Sequence, residues 1–256
     1  MKGRTAVITG GGRGVGAAVA ARLAGAGASV LVASRTVSQV EDVAARLRAS
    51  GHTAHAEACD VADPASIDRL ASRAAERLGR IDILVNNAGV ALASAVHKTS
   101  LDDWNRLFAV NATSAFLCLK AFLPGMIERR WGRVVNVASI AGLTADRYIA
   151  AYAASKHALM GLTRAAAAEA APHGVTVNAV CPGYLATDMT RESVERIMRT
   201  TGRTEAQALE AILQTTPQKR LIDADEVAEA VAYLCSDAAR SVNGEALVID
   251  GGELRR

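Results

Sequence analysis

The chain has 256 residues, half of them hydrophobic and 21% charged, which supplies a packed core and excludes the charge-rich, apolar-poor make-up of a disordered chain. Its length fits one α/β domain better than two large catalytic ones. Lys and Arg (29) exceed Asp and Glu (26) by only +3 with both signs scattered, and aromatics are 4%, so neither the basic stripe nor the stacking platform of a nucleic-acid partner is expected.

Short runs rich in Val, Ile and Leu alternate with longer Ala-rich stretches of helical period, the pattern of βαβ units. In chain order, a strand at Ala6 to Thr9 leads to a helix at Gly14 to Ala26, and a strand at Ser29 to Ser34 to a helix at Val37 to Ser50. A third strand, Ala54 to Ala58, precedes the helix Pro64 to Leu78, and a fourth, Ile83 to Asn86, precedes one long helix from Leu101 to Met126. Strands at Arg133 to Ala138 and Thr176 to Val180 flank a helix at Ala151 to Ala171; a helix at Asp225 to Cys235 and a strand at Ala246 to Asp250 follow. Val30-Leu31-Val32-Ala33 is apolar on both faces, as expected where helices cover both sides of a parallel sheet. The expected fold is a single doubly wound α/β domain over residues 1–256, with a seven-stranded parallel sheet.

The regular alternation breaks once, between Gly183 and Asp223, in a polar segment carrying Arg191, Arg196, Arg199 and Arg203, with two short helical runs and no strand. Residues 189–215 are read as a small helical lid over a binding site after the sixth strand; the plainer alternative is a surface or oligomer-contact insertion.

Cys59, Cys118, Cys181 and Cys235 form no CxxC or Cys/His cluster, so neither a disulfide framework nor a metal site is expected. Met1-Lys2-Gly3-Arg4 runs straight into Ala6-Val7-Ile8, too short for the core of an export signal. No uncharged apolar run reaches the roughly 18 residues that cross a bilayer. A reducing cytoplasm and no membrane partner are expected, and the sequon Asn111-Ala112-Thr113 then reads as coincidence.

Two patterns carry chemistry. Thr9-Gly10-Gly11-Gly12-Arg13-Gly14-Val15-Gly16 follows a strand and opens a helix, the context in which glycines let the backbone approach a pyrophosphate beneath free helix amides. The second strand ends Val32-Ala33-Ser34-Arg35 with no acid to meet a ribose hydroxyl. Arg35, with Arg13 inside the turn, suits a 2′-phosphate and favours NADP(H), with NAD(H) as the alternative and a solvated surface charge as the plain reading of either arginine. Farther on, Tyr152-Ala153-Ala154-Ser155-Lys156 places a phenol and an ammonium on one helical face. A neighbouring cation is expected to move the tyrosine toward the working range of an acid–base group.

With Asn86-Asn87-Ala88-Gly89 and Ser139 at the end of the fifth strand, these motifs stand in one order, and the chain resembles the short-chain dehydrogenase/reductase family over essentially its whole length. Asn111, Asp60-Val61 and Pro182-Gly183 followed by Thr187 sit where the family pattern would have them. The resemblance implies a Rossmann fold and a catalytic set of Asn111, Ser139, Tyr152 and Lys156, in which Tyr152 exchanges a proton with the carbonyl or alcohol oxygen. Ser139 would bind that oxygen, Lys156 would hold the ribose and stabilise the phenolate, and Asn111 would keep a water linking Lys156 to solvent. The implied cofactor site takes in Gly10, Gly12, Arg13, Gly14, Val15, Ser34, Arg35, Asp60, Val61, Asn87, Ala88, Gly89, Tyr152, Lys156, Pro182, Gly183 and Thr187. Taken singly, Ser139 and Asn111 also read as a turn cap and a buried, backbone-satisfied helix residue.

Within the family the chain looks like reductases of 3-oxoacyl thioesters and dehydrogenases of related 3-hydroxy compounds. Arg129-Arg130, Arg133 and the arginines of the lid fit an acyl group on a phosphorylated or acidic carrier such as acyl carrier protein. Reduction of a secondary-alcohol, sugar-alcohol or cyclic-ketone pair is the alternative, and apolar Leu92, Leu143, Ile149 and Met189 suit either pocket. A non-catalytic NADP(H) sensor would keep the glycine turn and lose part of the Ser139, Tyr152, Lys156 set, all of which is present. Family resemblance also implies a homotetramer, or a homodimer, built on the two long helices and the last strand.

Overall fold

The computed structural model describes residues 1–254. Strands β1 (Thr5–Thr9), β2 (Ser29–Ser34), β3 (Ala54–Ala58), β4 (Ile83–Asn86), β5 (Gly132–Val137), β6 (Val175–Pro182) and β7 (Ala246–Ile249) form one sheet in the order β3-β2-β1-β4-β5-β6-β7. Every pairing is parallel, with Val7 opposite both Leu31 and Leu84 at the centre. Such a sheet must be covered on both faces, which explains why β1, β4, β5 and β6 are buried throughout.

Helices α1 (Gly14–Gly25), α2 (Val37–Ala49), α3 (Pro64–Leu78), α4 (Leu101–Phe108), α5 (Ser114–Glu128), α6 (Ala150–Ala170), α7 (Asp188–Thr201), α8 (Glu205–Leu213) and α9 (Ala224–Leu234) complete the fold. On one face Val19 and Leu23 of α1, Val40 and Val43 of α2, and Val227 and Val231 of α9 pack over Ile8, Val30 and Val32. On the other, Ile67 and Leu70 of α3, Leu119 and Phe122 of α5, and Ala166 and Ala170 of α6 pack over Val7, Leu31, Leu84 and Val134. Helix starts follow local chemistry. Asp63 accepts from Ala65 N–H at 3.0 Å before Pro64, whose missing N–H costs nothing in a first turn.

At one helix the structure departs from the sequence reading. The helix expected from Leu101 to Met126 is interrupted by a π-helical stretch, Ala109–Thr113, before it resumes as α5. Although the span Leu101–Glu128 is long and apolar enough by composition to cross a bilayer, its Leu119, Phe122 and Met126 are buried against the sheet, as in a core helix. The segment after β6 forms α7 and α8 around a small core of Val194, Ala208 and Ile212, and an isolated parallel bridge between Leu185 and Ile222 joins its two ends.

The strand order reverses direction between the paired strands β1 and β4, so the crossovers on either side lead away from each other there. Ligands of open α/β sheets bind at that point, beyond the carboxyl ends of the strands. The glycine turn after β1, the Asn87-Ala88-Gly89 turn after β4 and the Ser139 turn after β5 all converge there.

Candidate active site

These turns border a cleft of ≈ 1310 Å³. Apart from Asn111, every residue singled out from the sequence for catalysis or cofactor binding lines it.

The glycine turn is held from across the switch point. Asn87 Nδ2 donates to the carbonyls of Thr9 and Gly10, each at 3.0 Å, while Thr9 Oγ1 accepts from the N–H groups of Asn87 and Ala88 at 3.1 and 3.2 Å. Gly10 has a φ of +64°, and a Cβ there would stand 2.9 Å from Ala88 Cα, so only glycine closes this join. A Cβ on Gly16 would strike the Gly10 carbonyl, so the helix starts tight against the turn. Arg13, the N-cap of α1, makes no side-chain bond to the helix, leaving its first amides facing the cleft. A cradle cleared of side chains beneath uncapped amides fits a dinucleotide pyrophosphate.

The two arginines differ. Arg13 is ion-paired with Asp188, the first residue of α7, at 2.8 Å, and Asp188 also meets Arg191 at 3.1 Å. Exposed Arg35 forms no ion pair among the described residues and lines both the main cleft and a smaller hollow of ≈ 640 Å³ beside it. Asp60 turns its carboxylate onto Ala62 N–H at 3.0 Å and takes the Ser66 hydroxyl on its own N–H at 3.1 Å, which sets that corner of the wall.

On the substrate side, α6 carries Tyr152 and Lys156 one turn apart. Ser139 Oγ accepts from Ala141 N–H at 3.1 Å and so caps the short turn Ile140–Gly142. A Cβ on Gly142 would lie 2.9 Å from the Lys156 carbonyl, which shows how closely this turn is pressed onto α6. The plain reading of Ser139 as a turn cap holds in its geometry, and the capping hydroxyl also stands beside the Tyr152 phenol.

Lys156 is buried, and its ammonium donates to the Val137 carbonyl at the end of β5 at 3.0 Å. Burial holds its amine down at about 8. The expectation that this ammonium brings the tyrosine into the working range is not met in the protein alone. Burial pushes the Tyr152 phenol up, Ser139 pulls it down, and Tyr184 and Cys181 push it up further. The reason is geometric: Lys156 Nζ lies 5.9 Å from the centre of the Tyr152 ring and spends a hydrogen bond on Val137.

Asn111 stands behind the wall, in the π-helical stretch. Its Nδ2 donates to the Val90 carbonyl at 2.9 Å and to Ser155 Oγ at 3.0 Å, and its Oδ1 accepts from Val90 N–H at 2.9 Å. Both amide hydrogens are thus engaged in pinning the Gly89–Val90 turn to α6. A Cβ at Gly89 would stand 3.5 Å from Asn111 Oδ1 and 3.6 Å from Lys156 Nζ, so the two side chains flank the same backbone. The wider turn of a π-helical stretch, common at functional sites, is what aims Asn111 inward.

The family-model match falls on residues 4–197 and is to the short chain dehydrogenases. The chain belongs to the short-chain dehydrogenase family. A D-beta-hydroxybutyrate dehydrogenase of Rhizobium meliloti (strain 1021) is 39% identical over 254 residues, covering 97% of this chain and 98% of the relative. A 3-oxoacyl-[acyl-carrier-protein] reductase of Synechocystis sp. (strain ATCC 27184 / PCC 6803 / Kazusa) is 36% identical, with 98% and 97% covered. Among solved structures, actinorhodin polyketide ketoreductase crystallised with NADPH superposes with a TM-score of 0.94 at 36% identity, over 98% of this chain and 97% of that one. As a member of this family the protein is an oxidoreductase with a nicotinamide cofactor.

Several features of this short-chain dehydrogenase had no signal in its sequence. Tyr148, with a φ of +68° and 63% exposed, reaches the cleft mouth, and its carbonyl accepts from Ser94 N–H at 2.7 Å. Tyr184, Thr215 and Glu253 line the cleft as well, and so does Arg196, which the sequence had singled out. Conversely, Leu143 lies outside the lining and packs beside Leu159 and Met160. Arg129 and Arg130 donate to the carbonyls of Ile81 and Pro172, and buried Arg133, the second residue of β5, lays its guanidinium over the Trp131 ring. These three stand at the opposite end of the sheet from the cleft of the same chain.

Proposed function

We propose that the protein is an NADP(H)-dependent ketone reductase and secondary-alcohol dehydrogenase, with a 3-oxoacyl thioester on coenzyme A or acyl carrier protein as its favoured substrate. The observation that carries this reading is that Ser139, Tyr152 and Lys156 share one cleft with the glycine turn. When bound, the nicotinamide supplies or accepts hydride. Tyr152 gives its proton to the carbonyl oxygen, or takes it back from the alcohol, while Ser139 Oγ orients that oxygen and supports the charge developing on it. Lys156 holds the ribose and resupplies the proton, and Asn111 keeps the turn beside it in place and holds the water that leads to solvent.

Gly10, Gly12, Gly14 and Val15 cradle the pyrophosphate; Asp60 and Val61 meet the adenine; Asn87, Ala88 and Gly89 flank the adenosine; Pro182, Gly183 and Thr187 meet the carboxamide. Ser34 and Arg35 take the 2′-phosphate, with Arg35 as the main anchor because Arg13 is engaged by Asp188. Helices α7 and α8 act as the lid within a single domain. The relatives named for hydroxybutyrate and for 3-oxoacyl-carrier substrates support a 3-oxo compound, and exposed Arg191, Arg199 and Arg203 of the lid suit an anionic carrier at its mouth. A second reading, reduction of a cyclic ketone, is favoured by exposed Tyr148, Tyr184 and Met189 along the cleft. Following NADPH absorbance with acetoacetyl-CoA, a carrier-protein thioester, small diketones and cyclic ketones tests both, and a preference for the rings overturns the thioester assignment.

We further propose assembly with copies of itself through α4, α5, α6 and β7, supported by exposed Trp104 and Phe116 and by the half-buried outer strand; sedimentation decides between monomer, dimer and tetramer. Cys59, Cys118, Cys181 and Cys235 are all buried and form no disulfide with one another, which suits the reducing cytoplasm.

A further inference from the structure

After β7 the chain turns back over the cleft through Gly251 and Gly252, at φ of +63° and +88°. Buried Asp250 fixes this return by accepting from the N–H groups of Gly252 and Leu254 at 2.8 and 2.6 Å. The turn delivers the Glu253 carboxyl inward. A Cβ on Gly183 would lie 3.2 Å from Glu253 Oε2, which places this oxygen beside the β6 end of the cleft that also holds Tyr184.

Glu253 Oε2 is buried and meets no hydrogen-bond partner among the described residues. An unmatched buried carboxylate oxygen on a residue that lines the cleft calls for a group that completes it, because folded proteins leave few buried polar atoms unmatched. The surrounding charges do not complete it. Arg196 donates to Ser193 Oγ at 3.2 Å and forms no ion pair with Glu253. Burial pushes the Glu253 carboxyl up, Asp250 and Asp146 push it the same way, and the hydroxyls of Thr215 and Thr216 pull it down. Glu253 and Asp146 in turn raise the neighbouring Tyr184 phenol, chiefly raised by its own burial.

We propose that Glu253 is a specificity-determining residue, accepting a hydrogen bond from a hydroxyl or amide N–H that the substrate carries away from its reacting carbonyl, and excluding free 3-oxo acids. A donor meets an acceptor that has none, whereas a substrate carboxylate meets a desolvated acid flanked by Asp146 and Asp250. The inference rests on reading the cleft as a ketone-reducing site.

The test follows NADPH consumption by the wild type, Glu253→Gln and Glu253→Ala. The substrates are ethyl acetoacetate and its 4-hydroxy derivative, S-ethyl acetothioacetate and the acetoacetyl thioester of N-acetylcysteamine, and free acetoacetate. The first pair isolates a hydroxyl, the second an amide N–H. In at least one pair the wild type prefers the donor-bearing member by about tenfold or more in kcat/KM, expressed in KM. Glu253→Ala loses that preference, and Glu253→Gln, which is isosteric and uncharged, gains about tenfold on acetoacetate. Melting curves establish that the variants are folded. An unchanged preference and unchanged acetoacetate rate in both variants overturn the proposal, as does a wild type that takes acetoacetate as readily as its ethyl ester. If neither variant folds, the wild-type preference within the two pairs decides. A wild type that reduces none of the five overturns the ketone-reductase reading instead; Glu253 is then judged by titrating the corresponding alcohols into the NADP+ complex, where equal affinity in wild type and Glu253→Ala overturns it.

Discussion

The Lys156 ammonium donates to the Val137 carbonyl at 3.0 Å, so a buried cation on α6 is anchored to the end of a central strand before any ligand arrives. Burying that cation has a measurable cost. With its amine held down at about 8 against 10.5 for an exposed lysine, both folded and unfolded chains carry the proton below pH 8, and folding bears the full penalty of burying it. Between about 8 and 10.5 the unfolded chain binds a proton that the folded one lacks, so the penalty is relieved as pH rises and is gone above 10.5. Lys156→Met is expected to be more stable than the wild type at neutral pH, by at most about 3 kcal/mol less the bond to Val137. Urea unfolding of the cofactor-free proteins checks this, and a difference that does not shrink on raising the pH through that window contradicts it.

Removing the Tyr152 hydroxyl takes away the proton donor and little else. Tyr152→Phe is expected to lower kcat by about 10²–10⁴-fold while NADPH still binds, as read by the fluorescence of the reduced nicotinamide. Undiminished turnover would remove Tyr152 from the chemistry.

Asn111→Ala strips Val90 of both its backbone partners and Ser155 of one. The expected loss is about 2 kcal/mol in urea unfolding, together with a fall in kcat as the Gly89–Val90 turn loosens beside Lys156. A variant with full stability and full activity would leave Asn111 without a role.

Arg35→Asp is expected to weaken NADPH binding and to improve NADH relative to it, because an acid at this corner suits a ribose hydroxyl and repels a phosphate. Arg13→Ala should do less, since Arg13 is already paired with Asp188. Comparable KM values for the two cofactors in the wild type would refute this use of Arg35.

Much of the frame was legible because its signals are local. The structure has β2, β3 and β4 at the same residues as the sequence reading, and Gly27 and Gly51, at φ of +91° and +83°, punctuate the chain before β2 and β3. The Tyr152–Lys156 pair is legible for the same reason, one turn of one helix. What escaped depends on distant partners. No residue type marks the π-helical stretch at Ala109–Thr113, which places Asn111 against Val90 and Ser155, 21 and 44 positions away. Arg13 meets an acid 175 positions on, so its spacing within the glycine turn says nothing of its pairing. The placement of Arg129, Arg130 and Arg133 away from this chain's own cleft was not legible, because charge density along a chain does not tell which end of a sheet it decorates. Glu253 was passed over because only the return of the chain after β7 brings it to the cleft.

The Leu185–Ile222 bridge, with Ile222 N–H donating to the Tyr184 carbonyl and Ala186 N–H to the Ile222 carbonyl, each at 2.9 Å, clasps the excursion at its neck. Everything between those points is a closed detour whose own small core asks little of the sheet. Lengthening such a detour raises its closure entropy only logarithmically. Descendants of this gene can therefore rewrite this stretch of the cleft lining, in size or in polarity, while the sheet beside it stays as it is.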